Sequence, residues 1–443
     1  MTEQNIYKNL PSVEDIARER DAATRASDLK NLEPISFEEL EKKIHEWMLV
    51  ADTGIIKLLP TIIIANRLKG HDPIWTMLIG PSGGGKTEFL NMLLDLEDMY
   101  PISLLTPNTF LSGMYGAKDT SLLPQINNKI LLFKDWTTLL SQNKDSRNEI
   151  FGQLREIYDG GMKKPFGNGK VAEWKGKVGL VAGVTEAFDL IQQMHTTLGE
   201  RFINYRVRMP DRIETGRRAQ KNGPRQSEMR NELRKAFYAF MKGIKIPDVE
   251  PELPEDVKEE IVQVSNFVTM ARSGVIREFS IKREVIFVPA AEMPTRSVQQ
   301  FSLLGVAFII VNGGIYDAKD MNIIYRLALD SIPKTNYMVI KEMARKDQRT
   351  TAEIATDLGY PTSPIRMYLE NLALLGVCTR IKGPDSDEGG NADRWTLKND
   401  FLQIVKKYEN IKTIEEKIED EFFPGAQELL DLEYPTEMQN PPD

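Results

Sequence analysis

The chain has 443 residues, of which 41% are hydrophobic and 28% charged, and its formal net charge is −8. Such a composition is typical of globular proteins, and the length predicts two or three domains. The single cysteine, Cys378, excludes an internal disulfide and indicates a reducing compartment. The three histidines lie too far from it and from one another in sequence for the usual zinc-site spacing.

The N-terminal sequence, the length of the apolar runs and the distribution of charge indicate which cellular compartment and which kinds of partner to expect. The first ten residues lack the charged-then-apolar pattern of a signal peptide, and no apolar run approaches the roughly 20 residues that span a bilayer. We therefore expect a cytoplasmic protein with no membrane partner. Residues 201–250 are rich in Lys and Arg, whereas residues 415–443 are acidic. This distribution fits nucleic acid as a partner, and a solvated surface is the simpler interpretation.

The N-terminal part begins with a polar stretch. Residues 1–35 have no sustained periodicity and predict a flexible arm. Ser36 and Glu39 then have the spacing of a capping box, which predicts an amphipathic helix over residues 36–47.

The middle of the chain alternates between two kinds of segment. Apolar runs at residues 129–133 and 178–182 predict buried strands, and residues 147–158 predict a helix between them. Glycines within residues 160–169 bracket a predicted hairpin. Strands that alternate with helices predict an α/β fold, with a mainly parallel sheet covered by helices on both faces.

A phosphate-binding loop stands between a predicted strand at residues 75–79 and a predicted helix at residues 88–94. It matches the pattern G-x-x-x-x-G-K-[ST] in full, through Gly80, Pro81, Ser82, Gly83, Gly84, Gly85, Lys86 and Thr87. The glycines let backbone N–H groups turn toward phosphate oxygens, and the helix dipole adds positive potential. We expect Lys86 to reach the β- and γ-phosphates and the Thr87 hydroxyl to ligate magnesium. The loop therefore predicts ATP and Mg²⁺ as cofactors.

A second motif, which is acidic, is expected after the P-loop at the point where a neighbouring strand ends. P-loop ATPases need a carboxylate there for magnesium, and many add an adjacent glutamate that activates water. Here the strand is followed by Lys134, Asp135 and Trp136. Either Asp135 holds the metal and Trp136 replaces the base, or Asp135 is the base and Lys134 displaces the metal ligand. We favour Asp135 as the metal ligand with the base unassigned, and both alternatives argue against fast hydrolysis.

The order of these motifs resembles the AAA+ ATPases over residues 50–330, especially the origin-binding and minichromosome-maintenance helicase branch. It also resembles uncharacterised ATPases of phages and conjugative elements. The resemblance implies that Thr185, after the third strand, senses the γ-phosphate. It implies that Arg201, in the box Leu-Gly-Glu-Arg-Phe, reaches the nucleotide of a neighbouring subunit, with Arg206 as the alternative, and that a lid helix supplies Arg296. The competing interpretations are a strand-end hydroxyl and an arginine paired with a surface acid.

In the helicase branch, a hairpin before the third strand projects into the channel of a ring. The predicted hairpin resembles it and carries Lys163, Lys164 and Lys170. Lysines at such a tip would neutralise phosphates without reading bases. A solvated, lysine-protected loop is the alternative interpretation.

The C-terminal module resembles a winged helix-turn-helix over residues 335–400. Thr350 and Glu353 form a predicted capping box for its second helix, and Ser363 is the predicted cap of the third, with Pro364 at its first position. Residues 377–382 and 394–397, predicted strands, flank a loop that would be the wing.

Two kinds of partner fit this module. Duplex DNA would be gripped by Thr362, Ser363, Arg366 and Arg380, but acids at the wing, Asp393 among them, repel phosphate. Docking to a protein is the alternative.

We therefore expect five regions: a flexible arm (1–35), an AAA+ core (36–210), a helical lid (211–330), a winged helix (331–410) and an acidic tail (411–443). The expected function is that of an ATP-hydrolysing ring, a hexamer by resemblance, that acts on DNA as a helicase, translocase or initiator in replication of a mobile element. The alternative is an ATP-gated switch or loader with slow hydrolysis and a protein partner bound through the winged helix or the tail. A nucleotide-binding scaffold with negligible hydrolysis is the third interpretation.

Overall fold

The computed structural model describes residues 27–111, 121–167, 169, 171–189, 201–278, 283–383 and 392–409. The chain divides into two compact units, one of Met1–Ser265 with Met293–Pro333 and one of Asn266–Glu292 with Lys334–Asp443. The first unit thus combines the predicted core with most of the predicted lid. Among the residues just given, no helix is both long and apolar enough to cross a membrane.

The first unit is built on a five-stranded parallel sheet. Its strands are β1 (Trp75–Ile79), β2 (Met99–Pro101), β3 (Ile130–Phe133), β6 (Gly179–Val184) and β7 (Phe202–Arg206), and a separate antiparallel hairpin consists of β4 (Gly161–Pro165) and β5 (Val171–Lys175). The order across the sheet is β2-β3-β6-β1-β7. Every residue of β1, β3 and β6 is buried, which explains why their sequences are apolar apart from Thr76 in β1. The predicted α/β class and parallel sheet are confirmed.

The principal helices of the first unit are numbered α1 to α10, and α8 continues into the second unit. They are α1 (Phe37–Trp47), α2 (Gly54–Arg67), α3 (Lys86–Met92), α4 (Thr137–Leu140), α5 (Lys144–Tyr158), α6 (Arg212–Asn222), α7 (Gln226–Gly243), α8 (Glu255–Arg272), α9 (Thr295–Val311) and α10 (Asp320–Asp330). The capping box of Ser36 and Glu39 is confirmed, with hydrogen bonds of 3.2 and 2.8 Å. Helix α5 begins earlier than predicted because the Asn143 side chain accepts a hydrogen bond from the Ser146 N–H.

A buried ionic network fixes the carboxyl end of β7 beside α10. Arg326 donates to the Asp52 carboxylate at 2.5 Å and to the carbonyl oxygen of Arg206 at 2.6 Å. Arg206 makes a two-pronged contact with Asp189, at 2.6 and 2.9 Å, and its N–H donates to Asp330. Burial raises the pKa of Asp330 although both arginines oppose the shift. Breaking such a buried pair is strongly destabilising, so the network holds these segments together.

The second unit contains the C-terminal helices and two small sheets. Its elements are β8 (Ile276–Arg277), β9 (Val285–Phe287), α11 (Lys334–Arg345), β10 (Arg349–Thr350), α12 (Thr351–Leu358), α13 (Thr362–Leu374), β11 (Cys378–Ile381), β12 (Arg394–Leu397) and α14 (residues 399–409). The three-stranded sheet has the order β10-β12-β11, so the predicted pairing of the last two strands is confirmed.

Two details of this unit differ from the prediction. Ser363 does not cap α13: the helix begins at Thr362 with Pro361 as its N-cap, and the N-cap makes no side-chain hydrogen bond. Pro361 has φ −59°, which suits a helix start, and Pro364 remains in the first turn, where its missing N–H costs nothing. Strands β8 and β9 form a hairpin within a region predicted to be mostly helical.

Candidate nucleotide site

The P-loop (Gly80–Thr87) joins the end of β1 to the start of α3 at the carboxyl edge of the sheet. Gly83 has φ +78° and Gly85 has φ +79°, a backbone conformation that residues with a Cβ rarely adopt. A Cβ on Gly84 would lie 2.6 Å from the sulfur of Met209. The glycines therefore permit both the turn of the loop and the close approach of a neighbouring segment.

Lys86 is the cation of this loop. Its ammonium group donates to the carbonyl oxygens of Gly80 at 2.7 Å and Pro81 at 2.6 Å. Burial lowers the pKa of Lys86, and the carboxylate of Asp135 opposes that shift. A phosphate group carries a full negative charge and is a stronger partner for an ammonium than neutral carbonyls are. The side chain is thus positioned to exchange these carbonyls for phosphate oxygens.

Thr87 and Asp135 supply the oxygen atoms suited to magnesium. Thr87 is exposed in the first turn of α3, and Asp135 is exposed just after β3. In the described parts of the chain, no cluster of three or more metal-binding side chains occurs. A magnesium ion here would therefore rely on these two side chains, phosphate oxygens and water, which is the usual arrangement for Mg²⁺. The Asp135 carboxylate also accepts a hydrogen bond from the Thr137 N–H at 2.9 Å.

Trp136 stands where a catalytic glutamate was expected. Its side chain is fully buried, with its ring centroid 4.7 Å from that of Phe133 and 5.8 Å from that of Phe202. The backbone N–H of Trp136 donates to the carbonyl oxygen of Gly183 at 2.8 Å. Position 136 therefore faces the hydrophobic core, and a side chain there cannot reach a nucleotide.

Thr185 follows β6, the strand between β1 and β3. Its neighbour Val184 accepts a hydrogen bond from the Gly80 N–H at 3.2 Å. Because the strands are parallel, their carboxyl ends meet at one edge of the sheet. The structure therefore places Thr185, the P-loop and Asp135 at the same edge of the sheet.

A cavity of about 740 Å³ opens beside the P-loop. It is lined by residues 47–52, 81–89 and 207–210, one side of α6 and the start of α7. Its volume lies in the range of small-molecule sites. Sequence reasoning missed most of its lining, including Met48, Val50, Arg208, Met209, Arg212 and Arg218. The basic stretch after residue 201 was the one sequence feature that pointed to this lining. The spacing of its arginines does not distinguish those that line the cavity from the others.

Arg201 and Arg296 lie together, away from this cavity. The Arg201 side chain is 10% exposed and bonds the carboxylate of Asp159 at 2.7 Å. The two guanidinium groups lie 5.5 and 5.7 Å from the ring centroid of Tyr158. Arg201 precedes β7, whose first residue is level with the first residue of β1. Five residues of strand separate this edge from the P-loop, a distance of about 15 Å.

Arg206, the alternative to Arg201, lies at the opposite end of β7, level with Ile79. Its side chain is engaged by Asp189 and donates to the carbonyl oxygen of Ile332. Arg206 therefore ties structural elements together beside its own P-loop.

The basic residues predicted to contact DNA are largely paired with acids. Lys164 donates to the carbonyl oxygen of Pro107 at 2.9 Å and lies 3.4 Å from Glu149. Lys163 is 68% exposed, with Glu173 at 3.9 Å. Lys170 lies outside the described residues.

In the second unit, Arg366 bonds Glu370 at 3.1 Å and approaches Asp393 at 3.8 Å. Arg380 bonds the same aspartate at 2.5 Å. Ser363 lies in the first turn of α13. Pairing with carboxylates reduces the positive potential with which these side chains would attract the phosphates of DNA.

Comparison with protein-family models gave no match, and comparison with curated proteins gave none either. Function is therefore argued from the site itself.

Proposed function

We propose that this chain is a cytoplasmic, magnesium-dependent P-loop ATPase of the AAA+ type that works as an assembly of identical subunits. One observation carries the proposal: the P-loop, Asp135 and Thr185 follow three adjacent parallel strands and so share one edge of the sheet. Ligands of open α/β sheets bind outside the carboxyl ends of the strands. A lysine and a hydroxyl in the loop, with a carboxylate beside them, suit a nucleoside triphosphate with its metal.

Each residue has a proposed role in transferring the γ-phosphoryl group to water. The loop N–H groups and Lys86 hold the β- and γ-phosphates, and Thr87 and Asp135 would hold Mg²⁺. A bound magnesium ion neutralises charge that develops on the phosphate oxygens. The Thr185 hydroxyl would donate to the γ-phosphate. The base remains unassigned, since Trp136 is buried.

The positions of Arg201 and Arg296 support an assembly. Both lie at the amino edge, about 15 Å from the P-loop of their own subunit. A second copy that presents its nucleotide to this edge would receive Arg296, and also Arg201 once that side chain exchanges the Asp159 carboxylate for phosphate. An arginine supplied across a boundary in this way stabilises the transition-state charge of phosphoryl transfer. We infer a ring or partial ring, and the resemblance to AAA+ ATPases favours six subunits.

DNA is the proposed substrate of the assembly, which would act as a helicase, translocase or initiator in replication of a mobile element. The hairpin of β4 and β5 supports this proposal through Lys163 and Lys175, which are 68% and 82% exposed and share the single carboxylate of Glu173, each at 3.9 Å. Lysines on an exposed hairpin can follow a phosphate backbone of any sequence.

A second candidate is an ATP-gated switch or loader, and the burial of Trp136 favours it. Without an acid at that position, hydrolysis would be slow and nucleotide binding would control assembly. The pairing of Arg366 and Arg380 with carboxylates also suits a protein partner better than DNA at the second unit.

The test is to measure ATP affinity, turnover and particle mass for the wild type and for Lys86→Ala, with and without DNA. Removing the ammonium should lower ATP affinity or turnover at least about tenfold, because a charge-assisted bond to phosphate is lost. Far-UV circular dichroism should show an unchanged fold. A motor predicts turnover stimulated by DNA, whereas a switch predicts slow turnover with ATP-dependent assembly. Wild-type affinity and turnover in folded Lys86→Ala would contradict the proposed site.

A further inference from the structure

The P-loop helix and the long helix α7 are joined by an ion pair that the proposed roles do not use. Arg230 on α7 donates to the two carboxylate oxygens of Glu88 at 2.6 and 2.9 Å. The two residues are 142 positions apart in sequence, and their side chains are 37% and 18% exposed. Glu88 directly follows Thr87, the proposed magnesium ligand.

One member of this pair, Glu88, lies at the rim of the nucleotide cavity. Glu88 lines the cavity from α3, and Gln226 and Met229 line it from α7. Arg230 is the next residue of α7 after Met229. The guanidinium is therefore held against the first turn of the P-loop helix, whose N-terminus is the expected position of the phosphates.

Glu88 places a negative charge where an anionic ligand is expected. Among the described residues that line the cavity, the carboxylates are Asp52 and Glu88. Asp52 is engaged by Arg326 and by the Tyr205 hydroxyl. Arg230 and Asn91 both donate hydrogen bonds to the Glu88 carboxylate. An ionised carboxylate beside phosphates is repulsive unless a cation compensates it.

We propose that Arg230 is a phosphate-binding residue supplied by the same subunit, and that Glu88 is its counter-ion until a nucleoside triphosphate binds. This inference rests on the proposed function of the P-loop. Guanidinium groups bind carboxylate and phosphate with the same two-pronged geometry, so the triphosphate can take the place of the carboxylate. Binding would thereby couple α7 to the nucleotide in the same subunit, whereas Arg201 and Arg296 lie at the far edge.

The competing explanation is that the pair only fastens α7 to α3. Under that explanation, Glu88→Gln and Arg230→Gln break the same contact and change nucleotide affinity in the same direction, or not at all. Under the proposal, Glu88→Gln raises nucleotide affinity because it removes a competitor for Arg230. Arg230→Gln lowers nucleotide affinity because it removes the side chain that binds the phosphate.

The experiment is a titration of each folded variant with a fluorescent ATP analogue and magnesium. Arg230→Gln should weaken binding at least about tenfold. Glu88→Gln should tighten binding about threefold or more, since like-charge repulsion is relieved. Arg230→Lys keeps the charge and should retain more affinity than Arg230→Gln. The matched controls, Glu214→Gln and Arg217→Gln, alter an exposed pair on α6 and should leave affinity unchanged.

The proposal is overturned if Glu88→Gln and Arg230→Gln change the affinity for the analogue in the same direction, or if neither changes it. If Arg230→Gln does not fold, Glu88→Gln decides alone, and unchanged or weaker binding by that variant overturns the inference. If the proposed function itself is wrong, the result differs: the wild type does not bind the analogue, or binds it no more tightly than Lys86→Ala does.

Discussion

Trp136 shows how one side chain limits the chemistry of the site. Its indole lies in the core with the rings of Phe133 and Phe202, so its burial contributes to stability. A glutamate at this position would be buried among aromatic rings. It would have to be protonated, or the segment would have to move out of the core to expose it to water.

We therefore predict that Trp136→Glu does not create a catalytic base. The change should lower the free energy of unfolding by at least about 3 kcal/mol, because a large buried ring is lost and a polar group is left in its place. Chemical denaturation measures this loss, and Trp136→Phe is the matched control with a smaller effect. Faster ATP turnover with undiminished stability in Trp136→Glu would show that position 136 can face the nucleotide.

Residue positions were predictable where the contacts are local in sequence. The P-loop was found because its contacts lie within eight consecutive residues with a fixed spacing. The pair of Glu88 and Arg230 joins residues 142 positions apart, and the sequence offers several arginines with equal claims. The partner of Arg201, Asp159, was not predicted for the same reason.

At the scale of elements, Asp135 combines a structural contact with its proposed role as a magnesium ligand. It follows β3 at the carboxyl edge of the sheet, and its carboxylate accepts the Thr137 N–H at the start of α4. Asparagine keeps an acceptor oxygen for that N–H but lacks the charge that magnesium prefers.

Asp135→Asn should therefore leave the fold intact and separate the two interpretations of the acidic motif. If Asp135 holds the metal, magnesium-dependent ATP affinity falls about tenfold or more while affinity without magnesium stays constant. If it is the base, affinity is retained and turnover is lost. Isothermal titration with and without magnesium, alongside a turnover assay, distinguishes them. Unchanged affinity and unchanged turnover would remove Asp135 from the site.

The predicted strands 75–79, 129–133 and 178–182 were correct to within two residues because buried parallel strands have uninterrupted apolar sequences. The hairpin of β8 and β9 was missed. Its residues Ile276, Val285, Ile286 and Phe287 are 40–63% exposed, so no alternation of buried and exposed residues marks the strands.

At the scale of the whole molecule, the proposed functional residues of the first unit lie at two opposite edges of its sheet. The carboxyl edge of its sheet carries the P-loop, Asp135 and Thr185, and the amino edge carries Arg201 with Arg296 near the ring of Tyr158. The parallel sheet could be predicted from the alternation of strands and helices along the chain. That the two arginines share one edge depends on how α9 packs, which the sequence alone does not reveal.

The most direct test of this account is ATP turnover in mixtures of two inactive variants. Arg201→Ala should bind ATP with affinity within about threefold of the wild type and lose turnover at least about a hundredfold, because the transition state loses a charge supplied from the neighbour. Asp159→Asn is the matched control: it removes the ion pair of Arg201 but keeps the arginine, and should remain active.

Lys86→Ala lacks the P-loop cation but keeps Arg201, so a mixed assembly of Lys86→Ala and Arg201→Ala contains some interfaces that are complete. We predict that turnover partly returns on mixing, above the sum of the two separate activities. Normal turnover by Arg201→Ala alone, or a particle mass that stays monomeric with ATP, magnesium and DNA present, would contradict a site completed by a second subunit.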